Sequence, residues 1–308
     1  MASPREEDKM TIVANWEKKQ MALKFFKDQK KLVKEPLLVF MGKRNADGEE
    51  PPKRIANMMR KSSLILAPTT YSLSHTEASR EAIKNGAKIV SMPAISEEIL
   101  DKYCSLDREK IRDLSHKLKK LLDSGKEVRV KTENGTDLKI NIGGREGMAM
   151  DGICNEGSFI NLPDGEALIS PKGGEGKLVI DGSMPPDTDS KWGKIGLIDS
   201  PIILEIEDGK IKNIEGEDEA KVLENLFNDY SPKARFIAEF AFGTNPEAKI
   251  IGNVTVDEKA LGTIHIAFGN SSSIGGNNNV PLHLDAIVRK PKVWIDGELI
   301  LEKGEFKI

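Results

Sequence analysis

Apolar residues run in unbroken blocks through the first third of the chain, then change to an alternating pattern that holds almost to the end. The blocks at 36–41, 63–68 and 88–92 are too short to be helices. Residues 17–34, 52–60 and 75–85 precede them in turn and carry apolar positions at helical spacing, the last stopped by Gly86. Unbroken apolar strands alternating with helices predict a parallel sheet covered on both faces. Ligands of such sheets bind beyond the carboxyl ends of the strands, which places 69–75 and 92–94 at a functional edge. No GxGxxG turn follows any of these strands, so nothing here points to a dinucleotide.

A charged helix over 107–124 closes this part near Gly125, and the period then becomes two. Residues 127–131 and 137–142 alternate across Asn134-Gly135, a strong hairpin signal. Further short strands follow at 157–162, 166–170, 177–181, 201–206, 210–214, 236–242, 263–268, around 283–285 and at 292–296, interrupted by a helix over 218–228. The stretch 173–177 is rich in glycine but lacks GxxxxGK[ST] spacing, and it reads as a hairpin between strands rather than a phosphate loop. The expected fold class is α/β. A doubly wound, parallel-sheet N-terminal domain over 1–110 precedes a larger, β-rich α+β domain over 111–308 that carries any metal site.

The length of 308 residues accommodates two such cores. A net charge of −3 with 31% charged residues intersperses both signs, which gives no electrostatic case for nucleic acid. The basic stretch 18–34 alternates with apolar residues and reads as a solvated amphipathic helix. Cys104 and Cys154 show no CxxC spacing and cannot make a structural zinc site by themselves; a single disulfide between them stays open. The first eight residues are polar and no stretch approaches the ~20 apolar residues of a membrane span, so a cytoplasmic setting without membrane partners is expected.

Candidate chemistry gathers near the C-terminus. His283 and Asp285 stand two apart in a strand, so imidazole and carboxylate converge on one face, a pairing that suits Zn, Mn, Fe or Co. His265 lies eighteen residues upstream in an apolar run, which puts half of the four histidines in one short stretch. Glu239 interrupts the apolar strand 236–242 on a face with Ile237 and Ala241, and a carboxylate so placed must be paired or metal-bound. Glu166 stands at a strand entry, where it is either a ligand or a surface charge. His75 opens a helix at the functional edge and is either a substrate-orienting or proton-shuttling group or a plain polar residue near a helix start. Arg289 reads as an exposed strand-end arginine.

Taken in order, the segments 161–166, 238–246, 261–269 and 283–285 resemble the thermophilic aminopeptidase family, the aminopeptidase T or leucyl-aminopeptidase-type metalloenzymes. Segments 69–76 and 91–93 extend the likeness, which runs from about residue 36 to 308. The resemblance implies a homodimeric, metal-dependent aminopeptidase, a hydrolase acting on short peptides. Its metal shell would be Glu166, Glu239, His265, His283 and Asp285, holding two divalent ions (Zn, Co, Mn or Mg), with Glu239 bridging and Glu166 as base. One departure stands out: that family carries a tyrosine seven residues after the histidine matching His265, and this chain has Ser272.

The segments 273–276, 281–285 and 293–298 are similar to 2,5-dihydroxypyridine dioxygenase, of the same fold. That resemblance implies one Fe(II) held by two histidines and a carboxylate. Its first histidine falls at Glu239, leaving His265, His283 and Asp285 as an alternative facial set. The function expected from the ligand set is therefore the aminopeptidase, with a mononuclear Fe(II) ring-cleaving dioxygenase, or a non-peptidase metal-binding relative, as the alternative.

Overall fold

The computed structural model describes residues 2–44, 48–74, 76–93, 95–104, 107–186 and 190–308. Two compact units share the chain: Met1–Leu106 with Gly152–Asp164, and Asp107–Asp151 with Gly165–Ile308. No helix among the described residues is long and apolar enough to cross a membrane.

The first unit is built on a five-stranded sheet in the order Leu37–Met41, Met10–Asn15, Leu64–Ala67, Lys88–Ser91, Phe159–Asn161, with every neighbouring pair parallel. Helices Lys19–Gln29, Lys53–Met59, Glu77–Lys84 and Glu97–Cys104 accompany it. Alternate residues of one strand serve opposite cores. Ile12 and Ala14 pack with Met21, Leu64 and Val90, while Val13 packs with Ile55, Met59, Ile65 and Ile89. This double burial explains the unbroken apolar blocks at 63–68 and 88–92, whereas Leu37–Met41 is an edge strand with Leu37 exposed. Cys154 is a free, buried thiol in this unit.

Two strands of that sheet depart from expectation. Met10–Asn15 follows a polar, charged stretch, and its own Thr11 and Asn15 dilute the pattern, yet all six residues are buried. Thr11 Oγ1 shares a hydrogen bond with Ser62 Oγ at 2.8 Å, and Asn15 Oδ1 accepts from the Thr70 backbone N–H at 2.9 Å, so both polar groups are satisfied inside. The period over 157–162 predicts a member of the β-rich part, but Phe159–Asn161 lies in parallel register with Lys88–Ser91. Three residues are too few for periodicity to separate a parallel strand from an antiparallel one.

The second unit is antiparallel. Its larger sheet has eight strands in the order Lys210–Glu215, Ile202–Glu207, Gly173–Ile180, Asp137–Asn141, Glu127–Lys131, Lys292–Ile295, Glu298–Glu302, Glu305–Phe306. The expected hairpin forms, Lys131 opposite Asp137, with Gly135 at φ +104°. A second sheet of five strands comprises β1 (Gly147–Met150), β2 (Glu166–Ile169), β3 (Ile237–Gly243), β4 (Ile264–Gly269) and β5 (His283–Val288), in spatial order β5-β4-β3-β2-β1. One apolar cluster joins the two sheets. It takes Val128, Ile140, Leu178 and Leu204 from the larger sheet and Ile169, Phe240, Phe242, Ile266 and Phe268 from the smaller. The helix Arg108–Ser124 adds Leu118 and Leu122.

The glycines at 173–176 form no hairpin turn. They lie within the strand Gly173–Ile180, paired from Gly173 opposite Asn141 to Lys177 opposite Asp137. Gly176 has φ +124°, and a Cβ there would strike the carbonyl oxygen of Asp137. The glycine permits a close strand approach that no other residue tolerates. Gly176→Ala is accordingly expected to cost about 1–3 kcal/mol of unfolding free energy. Urea denaturation should show a lower midpoint at unchanged slope, and an unchanged midpoint would mean the strands are not so closely held.

Candidate metal centre

The five-stranded sheet separates its two faces by chemistry. Phe240, Phe242, Ile264, Ile266, Phe268, Leu284, Ala286 and Val288 enter the core. The residues between them bring acid and imidazole to the other face. Cross-strand register does the rest. Glu166 of β2 lies opposite Gly243 of β3; His265 of β4 lies between Ala241 and Ile287; Ala267 lies between Glu239 and Asp285; and Gly269 lies opposite His283. Alanine and glycine thus alternate with the functional residues and form a low floor over which the longer side chains reach one another. At Gly243 a Cβ would strike the Ala260 carbonyl, so that floor position admits nothing larger.

Glu239 owes its aim to an irregularity. The register shifts between Ile237 and Glu239, so Ile237 pairs with Phe268 and joins the core instead of sharing a face with Glu239 as simple alternation predicts. Ala241 does share that face. A bulge of this kind redirects a side chain without breaking the strand.

All five sequence-predicted ligand candidates meet on this face. His265 Nε2 lies 3.2 Å from Glu239 Oε1, 3.6 Å from Glu166 Oε2 and 4.0 Å from Asp285 Oδ1. His283 Nε2 lies 3.4 Å from Glu239 Oε2 and 3.2 Å from Asp285 Oδ1. Glu239 therefore spans the two imidazoles with its two oxygens. His283 Nδ1 donates to the Asn270 carbonyl at 2.7 Å, which turns Nε2 into the cluster. His265 is sealed at 1% side-chain exposure whereas His283 keeps 31%, so the cluster opens to solvent at its His283 end.

Three groups among the described residues bring their ligand atoms within 4.8 Å of one another: Glu166, Glu239 and His265; Glu239, His283 and Asp285; Glu258, His265 and Asp285. The two histidines fall in different groups, so His265, His283 and Asp285 do not form one compact set. Donors about 2.1 Å from a common ion and at right angles lie roughly 3 Å apart, close to the spacings around Glu239. Glu166 Oε2 is a buried acceptor without a hydrogen bond, and a cation suits it. Mixed imidazole and carboxylate donors fit a divalent first-row ion.

Charge compensation is already strong. Burial pushes the Glu239 carboxyl up, but hydrogen bonds from His265 and His283 and their charges more than reverse this and hold it at about 2. Burial likewise opposes the His265 imidazolium, yet Glu239, Glu166 and Asp285 raise it to about 9. Burial opposes charge on His283 too, but Asp285 above all raises it well above the ordinary histidine range. Asp285, despite its own burial, is lowered by His283 in return.

Two further residues belong to this neighbourhood that the sequence pattern does not single out. Lys259, with 6% of its side chain exposed, places Nζ 2.5 Å from Glu166 Oε1 and 2.8 Å from Glu258 Oε1. Burial pushes Glu258 up to about 8, partly offset by Lys259. In the sequence this is an ordinary charged pair; its one signal is its position just ahead of the apolar run holding His265. His75 lies outside the described residues. Ser272 is exposed and donates from Oγ to Asn270 Oδ1 at 2.7 Å. Arg289 is exposed too, its backbone N–H donating to Asp181.

Comparison with known proteins places this geometry in context. Residues 34–308 match the 2,5-dihydroxypyridine 5,6-dioxygenase (NicX) family, and the chain belongs to it. It is 25% identical over 263 residues to the 2,5-dihydroxypyridine 5,6-dioxygenase of Pseudomonas putida, covering 78% of this chain and 70% of that protein. The solved structure of the 2,5-dihydroxypyridine dioxygenase from Pseudomonas putida KT2440 superposes with a TM-score of 0.76 at 19% identity, over 98% of this chain and 92% of that one. Wild-type AmpT from Thermus thermophilus superposes with a TM-score of 0.69 at 16% identity, over 100% and 95%. At such identity both superpositions establish the fold alone. The family match overturns the aminopeptidase expectation, and with it the assignment as protease and hydrolase: the sequence over 34–308 sides with the dioxygenases.

Two expectations follow from the cluster. Below pH 6.5 the His265 imidazolium stabilises the metal-free fold fully, and this contribution is lost as pH rises through about 9; Glu239 contributes above 4.5 and loses it as pH falls through about 2. A metal at Glu239, His283 and Asp285 must displace the His283 imidazolium proton, so binding tightens with rising pH. The gap in unfolding temperature between metal-loaded and metal-free protein should widen as pH rises above 6.5, because the His283 imidazolium, held charged well above the ordinary range, must give up its proton to the metal, and a constant gap would contradict this charge arrangement. Filling the floor with Ala267→Leu should push Glu239 and Asp285 apart and weaken divalent-metal binding by roughly tenfold or more in a folded protein, measured by calorimetric titration.

Proposed function

We propose that this member of the 2,5-dihydroxypyridine 5,6-dioxygenase family is a ring-cleaving dioxygenase that uses divalent iron to open a dihydroxylated aromatic ring, 2,5-dihydroxypyridine being the first substrate to test. The observation that carries the reading is that the family match over residues 34–308 takes in every member of the acid–imidazole cluster. Glu239, His283 and Asp285 would hold the ion, because they form the group nearest solvent. Divalent iron, when bound, supplies an electron-rich centre with positions open to oxygen and to a chelating substrate.

What the chain's own residues do follows from their surroundings. Asn270 fixes the His283 ring and leaves Nε2 as its inward donor atom. His265 holds Glu239 Oε1 by a hydrogen bond and leaves Oε2 directed at His283. Glu239 replaces the histidine that the two-histidine, one-carboxylate pattern would place there, so two carboxylates and one imidazole would hold the ion. Two negative donors balance a dication in full, which favours retention of Fe(II) in a partly buried site. Access for a small planar substrate lies on the side of His283, whose 31% exposure exceeds that of every other member.

Reconstitution with Fe(II) under anaerobic conditions, followed by exposure to oxygen with dihydroxylated pyridines and benzenes, tests the reading. Loss of ring absorbance with matching oxygen uptake is expected, and His283→Ala should abolish both together with iron retention. An iron-loaded protein that consumes no oxygen with any such ring would overturn it.

A further inference from the structure

The cluster offers three ways to hold a cation, and Lys259 bears unequally on them. Its ammonium pairs with Glu166 at 2.5 Å and with Glu258 at 2.8 Å. Glu166 belongs to one candidate group and Glu258 to another, while the third group, Glu239 with His283 and Asp285, contains neither. We infer that Lys259 acts as a built-in cation occupying the second metal position, so that the cluster takes up a single divalent ion at Glu239, His283 and Asp285. This inference rests on the reading of the cluster as a metal site, and it deepens that reading by assigning the metal number to a residue.

Charge and geometry both favour it. Of the three carboxylates Glu166, Glu239 and Asp285, a dication at the outer set takes up Glu239 and Asp285, and the Lys259 ammonium pairs with Glu166. A second dication would leave an excess of positive charge in a space where Glu166, Glu239, Lys259 and His265 are almost wholly buried, and uncompensated charge is least tolerable there. A dication bound to Glu166 would also sit against an ammonium already in hydrogen-bond contact with the same carboxylate. Lys259 cannot swing clear into water, because its side chain is 6% exposed and tied to a second carboxylate. Both carboxylates that it pairs with lie outside the outer set, so it is a positioning residue that governs which carboxylates remain available.

Metal stoichiometry decides the matter without recourse to turnover. Mn(II) titrated into the metal-free full-length protein should bind one equivalent, with the electron paramagnetic resonance signature of an isolated ion. Lys259→Met, which keeps length and removes charge, should bind two and show the spin coupling of a close pair. Lys259→Arg should return to one, and Lys259→Met combined with Glu166→Gln should also bind one. No binding by the unaltered protein would remove the metal reading itself. Two equivalents in the unaltered protein, or one in a folded Lys259→Met variant, would overturn the inference while leaving that reading intact. Should Lys259→Met fail to fold, anomalous scattering from crystals of the Mn(II)-loaded unaltered protein takes its place. Density at Glu239, His283 and Asp285 with Lys259 still on Glu166 supports the inference, and density on Glu166 overturns it.

Discussion

Several ionisable groups lie on one face of a sheet whose other face is the hydrophobic core, and keeping them out of water is costly unless each is compensated. That constraint orders the second unit. Phe240, Phe242 and Phe268 hold the strands from below, the small residues Ala241, Gly243, Ala267 and Gly269 keep the upper surface low, and the charged side chains meet across it. Buried charge then finds partners at short range: Glu239 with both histidines, Asp285 with His283, Glu166 with Lys259. The site is the part of the sheet where hydrophobic packing on one side makes an electrostatic network on the other geometrically possible.

The chain itself discloses much of this, for identifiable reasons. Buried parallel strands are apolar on both faces, so 63–68 and 88–92 stand out as blocks; the amphipathic helix 218–228 and the Asn134-Gly135 hairpin are equally plain. Met10–Asn15 is hidden because its polar residues are satisfied by tertiary hydrogen bonds that no local pattern records. The glycines of Gly173–Ile180 read as a turn because glycine's freedom is usually spent in turns, whereas here it serves close approach between strands.

Ligand candidates are legible for a different reason. A histidine or glutamate inside an apolar strand is expensive, so Glu239 and His265 announce a partner through the hydrophobic pattern around them. Which partner they have is not encoded locally. Glu239 reaches both imidazoles only because a bulge removes Ile237 from its face, and a one-residue irregularity leaves no mark in a pattern of period two. Lys259 is invisible because a Glu-Lys pair after a short helix reads as ordinary charged surface, and only the fold reveals that this one is buried.

Ligand types alone point toward peptide hydrolysis for a related reason. Five donors of the right kinds are a count of what a site could bind, and two ions is the number that uses all of them. The charge on Lys259 is absent from such a count, although it changes the balance as much as a ligand does. With Glu166 engaged by an ammonium, the donors left at the open end are Glu239, His283 and Asp285, a set sized for one ion. One ion beside an accessible edge suits oxygen chemistry on a small ring, whereas a bridging hydroxide needs two. A metal shell is therefore better read with its neighbouring cations included, because in a buried cluster they occupy sites as surely as metals do.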